Sequence, residues 1–180
     1  MKPIISASDT ASRVVRIFFT IALLLVGGSA FAAPKVHQKP SDFIKSSLGA
    51  IPTTRAITLT SAQQRQVRAI LGKNYKTKAI RYWTRNGKTA FILEETGKTE
   101  DITTGLVVKN GKIETVKVLV YRESHGWEVA RTAFTNQFKG TSLKSNGQIS
   151  KSPRNIAGAT LSVRALTKLA RLALFLDSRK

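Results

Sequence analysis

The chain has 180 residues, with 30 Lys or Arg against 10 Asp or Glu, which gives a formal net charge of +20. Hydrophobic residues make up 42%, an ordinary globular share, so wholesale disorder is excluded and the length fits one domain. The chain has no cysteine, which excludes a disulfide framework, a thiolate zinc site, an iron–sulfur cluster and c-type haem. With two histidines, His37 and His125, a histidine-rich metal site is also disfavoured.

The first 32 residues have the pattern of a secretory signal peptide. A basic start, an apolar run over 17–26 and a small-x-small motif at 30–32 follow one another. The run is shorter than the roughly 20 apolar residues of a transmembrane helix, although an uncleaved N-terminal anchor is the alternative. We expect cleavage after Ala32, which leaves 27 basic and 9 acidic residues and a net charge of +18. The expected location is the periplasm, peripheral to the inner membrane.

Two helices are predicted at the start of the mature chain. Residues 33–40 hold two prolines and no periodicity, which predicts a linker before a single domain over 41–180. A first helix is expected over 41–49. A second, stronger signal runs over 60–72, where Thr60 or the serine after it caps the helix and a glycine ends it.

Beyond these helices the hydrophobic period changes to two. Two pairs of alternating runs each flank an Asn-Gly dipeptide, which is a strong hairpin signal. The first pair is 79–83 and 89–93 around Asn86-Gly87, and the second is 104–108 and 113–121 around Asn110-Gly111. Two such hairpins predict an antiparallel sheet of about four or more strands.

The last third of the chain predicts helices again. Apolar residues between Val129 and Phe138 predict a short helix, and the polar stretch 139–156 predicts a loop. The clearest helix runs from about Leu161 to Leu176. Its expected core face is Leu161, Ala165, Leu169, Leu172 and Leu176, and its expected basic ridge is Arg164, Lys168 and Arg171. The predicted fold class is therefore α+β, an antiparallel sheet packed with helices that include a long C-terminal one.

The tripeptide Gly158-Ala159-Thr160 lies where the loop becomes the final helix. Unpaired backbone N–H groups converge at such a position and the helix dipole favours a negative group there, so a phosphate fits. Glycine lets the backbone approach closely, and the hydroxyl of Thr160 can form a hydrogen bond or be esterified. From the spacing alone, an ordinary helix start capped by Thr160 is the alternative interpretation.

Four features occur in order over residues 101–176. They are the second hairpin, the turn Arg122-Glu123-Ser124-His125-Gly126, the pair Phe134 and Phe138, and Gly158-Ala159-Thr160. This order resembles the FMN-binding domain shared by the NqrC and RnfG subunits of bacterial redox pumps and many small periplasmic flavoproteins. In that family the threonine of a Ser/Thr-Gly-Ala-Thr motif can carry FMN through a phosphoester made by a flavin transferase. The resemblance implies this role for Thr160.

The chain departs from the family pattern at two positions. Ala157 stands where the family has a hydroxyl residue, and Arg154 stands where it usually has an acidic one. Covalent FMN, noncovalent FMN and a domain without flavin therefore stay open as alternatives.

The resemblance implies a set of cofactor-binding residues. This set is Arg122, Glu123, Trp127, Gly158, Ala159, Thr160, Leu161 and Ser162. The phosphate is expected at the N-terminus of the final helix, near Arg154 or Arg164. The candidates for the wall beside the flavin ring are Tyr121, Trp127, Phe134 and Leu161, each with plain core packing as its alternative. Arg122 and Glu123 are expected at the flavin edge, with a surface ion pair as their alternative.

No base, nucleophile or metal constellation stands out in the sequence, so we expect an electron carrier and not an enzyme. The expected function is a periplasmic FMN flavoprotein that passes electrons between a membrane redox component and another exported partner. The expected partners also include a flavin transferase and an anionic membrane surface, but not nucleic acid. The alternative is a flavin-free basic module that binds anionic lipid, polysaccharide or nucleic acid.

Overall fold

The computed structural model describes residues 33–180, so the predicted signal peptide lies outside the described residues. The strands are β1 Lys35–Val36, β2 Arg55–Thr58, β3 Ala79–Arg85, β4 Lys88–Thr96, β5 Asp101–Lys109 and β6 Lys112–Tyr121. The α-helices are α1 Pro40–Leu48, α2 Ser61–Leu71, α3 Thr132–Thr135 and α4 Thr160–Asp177. Two short 3-10 helices, Trp127–Ala130 and Asn136–Phe138, flank α3.

The six described strands form one antiparallel sheet in the order β1-β6-β5-β4-β3-β2. Both predicted hairpins are present, as β3–β4 and β5–β6. In each turn the asparagine and the glycine have positive φ angles, 51° and 70° at Asn86 and Gly87, which the two-residue turn requires. With the long helix α4, the predicted α+β class is confirmed.

Side chains alternate between the two faces of the sheet along each strand, and helices cover both faces. One face packs against α2 and α4 and forms the larger core, which includes Phe91, Leu106 and Leu166. The other face packs against α1 through a smaller cluster around Phe43. Helix α1 can lie this close because position 105 is glycine: a Cβ there would be 2.5 Å from the Phe43 ring.

Both N-terminal helices are confirmed, with α1 beginning one residue earlier than expected, at Pro40. In α2 the side chain of Thr60 accepts a hydrogen bond from the Gln63 backbone, and the Gln63 side chain accepts one from the Thr60 backbone. This reciprocal capping box fixes the start of the helix, and Gly72 ends it with a φ of 79°.

Three segments differ from the sequence-based expectations. The predicted linker contributes β1, which pairs with β6 at the sheet edge. An unpredicted strand, β2, covers the opposite edge by pairing with β3. The helix expected over 129–138 is interrupted at Arg131, whose extended backbone (φ −68°, ψ 139°) a continuous helix does not allow, and α3 then runs directly into the second 3-10 helix.

The buried side chains of α4 are not confined to one face of the helix, because α4 lies between the sheet, α2 and the loop over 139–156. One expectation about its core face is wrong. Leu161 is 41% exposed and is not part of the core. Part of the expected basic ridge is engaged in contacts: the Lys168 Nζ atom donates to the Leu71 carbonyl (2.6 Å) and lies 3.2 Å from the carboxylate of buried Glu95. Arg171 donates to a loop carbonyl at 3.0 Å.

Candidate functional site

A cleft of about 740 Å³ opens beside the N-terminus of α4. Three segments line it: Lys98 and Thr99 of the β4–β5 loop, residues 123–128 after β6, and residues 157–162. Its volume is within the range of small-molecule and cofactor sites. The fold therefore brings together three parts of the chain that are far apart in the sequence.

The first turn of α4 presents unpaired N–H groups to this cleft. Gly158 has a φ of 79°, and the N-cap residue Ala159 has no side chain that can accept a hydrogen bond from the helix. Within residues 33–180, the backbone N–H groups of Thr160, Leu161 and Ser162 donate no hydrogen bond. Three free donors at the positive end of an 18-residue helix form a site that suits a phosphate.

Thr160 is the first residue of α4 and is half-buried in the wall of the cleft. Its Oγ1 atom accepts a hydrogen bond from the Asn155 side-chain amide at 3.0 Å. The hydroxyl proton of Thr160 is therefore directed away from Asn155, and the oxygen is held in place. Sequence reasoning missed Asn155, because an asparagine in a polar loop carries no distinctive signal by itself.

Ser162 contributes to the site through its backbone, and its side chain fastens the helix to the turn after β6. The Tyr121 hydroxyl donates its proton to the His125 carbonyl at 2.5 Å. The tyrosine oxygen therefore accepts a hydrogen bond from the Ser162 hydroxyl, whose oxygen is 2.9 Å away. Gly126 lies directly against this pair, since a Cβ there would be 3.0 Å from the tyrosine oxygen. Burial raises the pKa of Tyr121, and the bond from Ser162 lowers it in part, so the phenol stays protonated at neutral pH.

Glu123 organises the third wall of the cleft. One of its carboxylate oxygens accepts the backbone N–H groups of Lys98, Thr99 (2.8 Å) and Glu100 (3.0 Å), and the other accepts the Thr99 hydroxyl at 3.0 Å. Burial by itself raises the pKa of Glu123, but these donors outweigh it and hold the pKa below its ordinary value. Gly97 leaves room for the carboxylate, because a Cβ there would be 2.7 Å from it. Glu123 thus supports the site through the loop it holds.

The four candidates for an aromatic or apolar wall divide into two pairs. Trp127 and Leu161 line the cleft and are 40% and 41% exposed. Tyr121 and Phe134 are 2% and 4% exposed and belong to the main core. Two large apolar side chains that the fold leaves uncovered in one cleft are a suitable surface for a planar ring.

Basic side chains surround Trp127 at the mouth of the cleft. The Lys35 ammonium lies 5.1 Å from the centre of the indole ring, and the Arg131 guanidinium lies 4.6 Å from it. Lys35 is in β1, so the short edge strand places a cation beside the cleft. Lys98 of the β4–β5 loop adds another cation to the lining of the cleft. Sequence reasoning did not single out any of these three cations.

Three arginines that the sequence predicts near the cofactor do not line the cleft. Arg122 follows Tyr121 at the end of β6, and its side chain lines a separate cavity formed by the α1 face of the sheet. Alternation explains this, since the side chain of Tyr121 points to the α4 side and that of the next residue points away. Arg154 and Arg164 do not line the cleft either. Arg122 at the flavin edge, and Arg154 or Arg164 near the phosphate, therefore stay predictions.

The comparison with known families agrees with this geometry. Residues 97–174 match the sequence model of the FMN-binding domain. Over these residues the chain is similar to the FMN-binding domain family. The match confirms the resemblance and supports FMN as the cofactor, and all residues that line the cleft lie within it. No curated protein and no solved structure matches the chain at a significant level.

The residues of the FMN-binding domain fit the group that the family implies. The free N–H donors of α4 suit its phosphate, and Trp127 and Leu161 suit its ring. Within residues 33–180, no three acidic or histidine side chains gather as a metal site would require. In the same part of the chain, no helix combines the length and hydropathy needed to cross a membrane.

Proposed function

We propose that the chain is a periplasmic flavoprotein that carries electrons between a membrane redox component and another exported partner. FMN is held on Thr160 through a phosphoester. One observation carries this proposal: the hydroxyl of Thr160 stands at the first turn of α4, next to three N–H groups without an acceptor among the described residues. A phosphate bonded to that oxygen lies where the helix has its positive end.

In this proposal, different residues of the cleft bind the phosphate, pack against the ring and offset negative charge. The N–H groups at 160–162 bind the phosphate, and Asn155 orients the oxygen that carries it. Trp127 and Leu161 pack against the ring and exclude water from one side of it. Lys98, which Glu123 positions through the loop, offsets negative charge. When bound, FMN supplies one- and two-electron redox chemistry.

Electron carriage to a partner is supported by the open cleft and its basic mouth. Lys35 and Arg131 flank Trp127, so an acidic partner or an anionic membrane surface would be attracted to the side where the ring is exposed. The periplasmic location is supported by the signal pattern over residues 1–32. In this arrangement the protein needs no catalytic side chain, and a flavin transferase acts only in its maturation.

The test is the intact mass of the protein after expression beside an active flavin transferase. The wild-type mass should exceed that of the mature polypeptide by one FMN minus one water. Thr160→Ser keeps a hydroxyl and should keep the adduct, whereas Thr160→Val should abolish it. Thr132→Val is the matched control, because Thr132 is also the first residue of a helix but is exposed outside the cleft.

Two further outcomes separate the parts of the proposal. A wild-type mass equal to the polypeptide alone contradicts the phosphoester, and a flavin spectrum that survives desalting then shows noncovalent FMN. A colourless protein that does not bind added FMN contradicts flavin binding as a whole. Electron transfer to an acidic partner should slow as salt rises, and a rate indifferent to ionic strength contradicts the proposed docking.

A further inference from the structure

A second cavity, of about 670 Å³, lies over the sheet face that packs against α1. Helix α1 has nine residues and covers only part of that face. Strands β3 to β6 form the floor of the cavity, and three other segments form its walls: the start of α1, residues 51–54 and residues 75–77. Because walls enclose it on several sides, the surface is concave and not a flat sheet face. None of its lining residues belongs to the FMN cleft.

The floor of this cavity is apolar. Trp83, Ile92 and Val120 are half-buried beside the α1 cluster, and Ile44 of α1 continues the same surface. Ile51 stands over it from the wall and is 56% exposed, which is unusual for isoleucine. An apolar body that entered the cavity would cover these side chains and gain free energy from the area removed from water.

The charged groups at one side of the cavity are mostly neutralised by one another. Lys76 is paired with the carboxylates of Glu94 and Asp101. Arg122 donates to the Asp101 carbonyl at 2.8 Å and to the Thr103 hydroxyl at 2.9 Å, and it lies 3.8 Å from Glu94. Thr103 in turn donates to Glu94 at 2.7 Å. This network is satisfied without a ligand.

Arg81 is the exception. It is exposed on β3, in the lining of the cavity, and forms neither an ion pair nor a side-chain hydrogen bond within residues 33–180. Its neighbour two residues along the strand is Trp83, which has its side chain on the same face. The cavity therefore combines an aromatic and aliphatic floor with one cation that has no counter-charge.

We propose that this second cavity binds a small amphipathic anion, whose apolar body lies on Trp83, Ile92 and Val120 and whose anionic group pairs with Arg81. The shared chemistry is an apolar body that ends in a carboxylate or sulfonate. The body is either an acyl chain or an aromatic ring system. This site is independent of FMN, because the sheet and the larger core separate it from α4.

The two tryptophans of the chain give a direct test, since Trp83 lies in this cavity and Trp127 lies in the FMN cleft. In the variant Trp127→Phe, all tryptophan emission comes from Trp83. Titration with 1-anilinonaphthalene-8-sulfonate should give saturable 1:1 binding, with energy transfer from Trp83. Binding should be the same with and without FMN. Competition with decanoate or 1-naphthoate then assigns the body of the ligand as acyl or aromatic.

Arg81→Gln should weaken binding at least about tenfold, because it removes the charged partner of the anion. Arg55→Gln is the matched control: Arg55 is also exposed and without an ion pair among the described residues, but it lies on β2 outside the cavity. Equal affinities of these two variants overturn the proposal. So does the absence of saturable binding.

A measurement on the wild-type protein avoids any effect of the substitutions on folding. In amide and methyl NMR spectra, decanoate or 1-naphthoate should shift the Trp83 indole and the methyl groups of Ile92 and Val120. Shifts confined to Trp127 and residues 157–162 would place the anion in the FMN cleft and overturn the proposal.

Discussion

Glu123 gives the sharpest test of how the site is held together, because one carboxylate accepts three backbone N–H groups and a hydroxyl from the β4–β5 loop. Glu123→Gln keeps the size and one acceptor oxygen but removes the charge. A hydrogen bond to a charged group contributes about 1.5–3 kcal/mol, against about 0.5–1.5 kcal/mol for a neutral one. Three weakened bonds would cost about 3 kcal/mol, and access of water to the half-buried group reduces the cost to about 1–2 kcal/mol.

This cost should depend on pH in a defined direction. The folded protein holds the pKa of Glu123 below its ordinary value of 4.5, so the carboxylate contributes stability that is fully present above that value. The contribution is lost as pH falls through the lower folded pKa. The difference in unfolding free energy between wild type and Glu123→Gln should therefore be largest at neutral pH and shrink toward zero in strong acid.

Urea unfolding in a pH series measures this difference, and amide hydrogen exchange of residues 98–100 measures the opening of the loop. FMN affinity should fall with the charge removed, because Lys98 and Thr99 line the cleft. Glu128→Gln is the control: it lies in the same cleft, and its carboxylate accepts no hydrogen bond from the described residues. A cost for Glu123→Gln that is the same in acid as at neutral pH would refute this reasoning.

Two other substitutions test the packing that carries the site. Gly105→Ala should cost about 1–3 kcal/mol of unfolding free energy, because the new Cβ would lie 2.5–2.7 Å from three ring atoms of Phe43. Its cost should shrink in a Phe43→Leu background, as a double-mutant cycle in urea would show. Lys168→Met should cost about 1–2 kcal/mol, because it removes one of the cations that compensate buried Glu95 and water already reaches the lysine. Lys144→Met, on the exposed loop, should leave the urea midpoint unchanged.

Local signals made much of the fold predictable. The two Asn-Gly turns need positive φ at both central residues, and asparagine and glycine adopt it most easily, so the hairpins follow from four residues. The Thr60 capping box likewise acts over three residues. By contrast, β1 and β2 are edge strands of only two and four residues. They are strands because they pair with β6 and β3, which local sequence patterns do not show.

The same distinction explains the site. The helix start at Gly158-Ala159-Thr160 is a local signal and was predictable, whereas the cleft around it also needs residues 98–99 and 123–128. The contacts of Glu123 with residues 98–100 join loops more than 20 residues apart, so periodicity carries no information about them. Arg122 lies one position before Glu123, at the strand end, where a single step along the chain decides which face a side chain reaches.

Long-range ion pairs neutralise part of the basic residues behind the net charge of +20. Ten basic and no acidic residues lie between Asp42 and Glu94, yet Lys73 and Lys76 from this run are neutralised by carboxylates of β4 and β5. Lys168 of α4 is neutralised in the same way by Glu95. Two other cations, Lys35 and Arg131, lie beside Trp127, where a partner must approach the proposed FMN. Their positive charge at that mouth would help to orient an acidic partner.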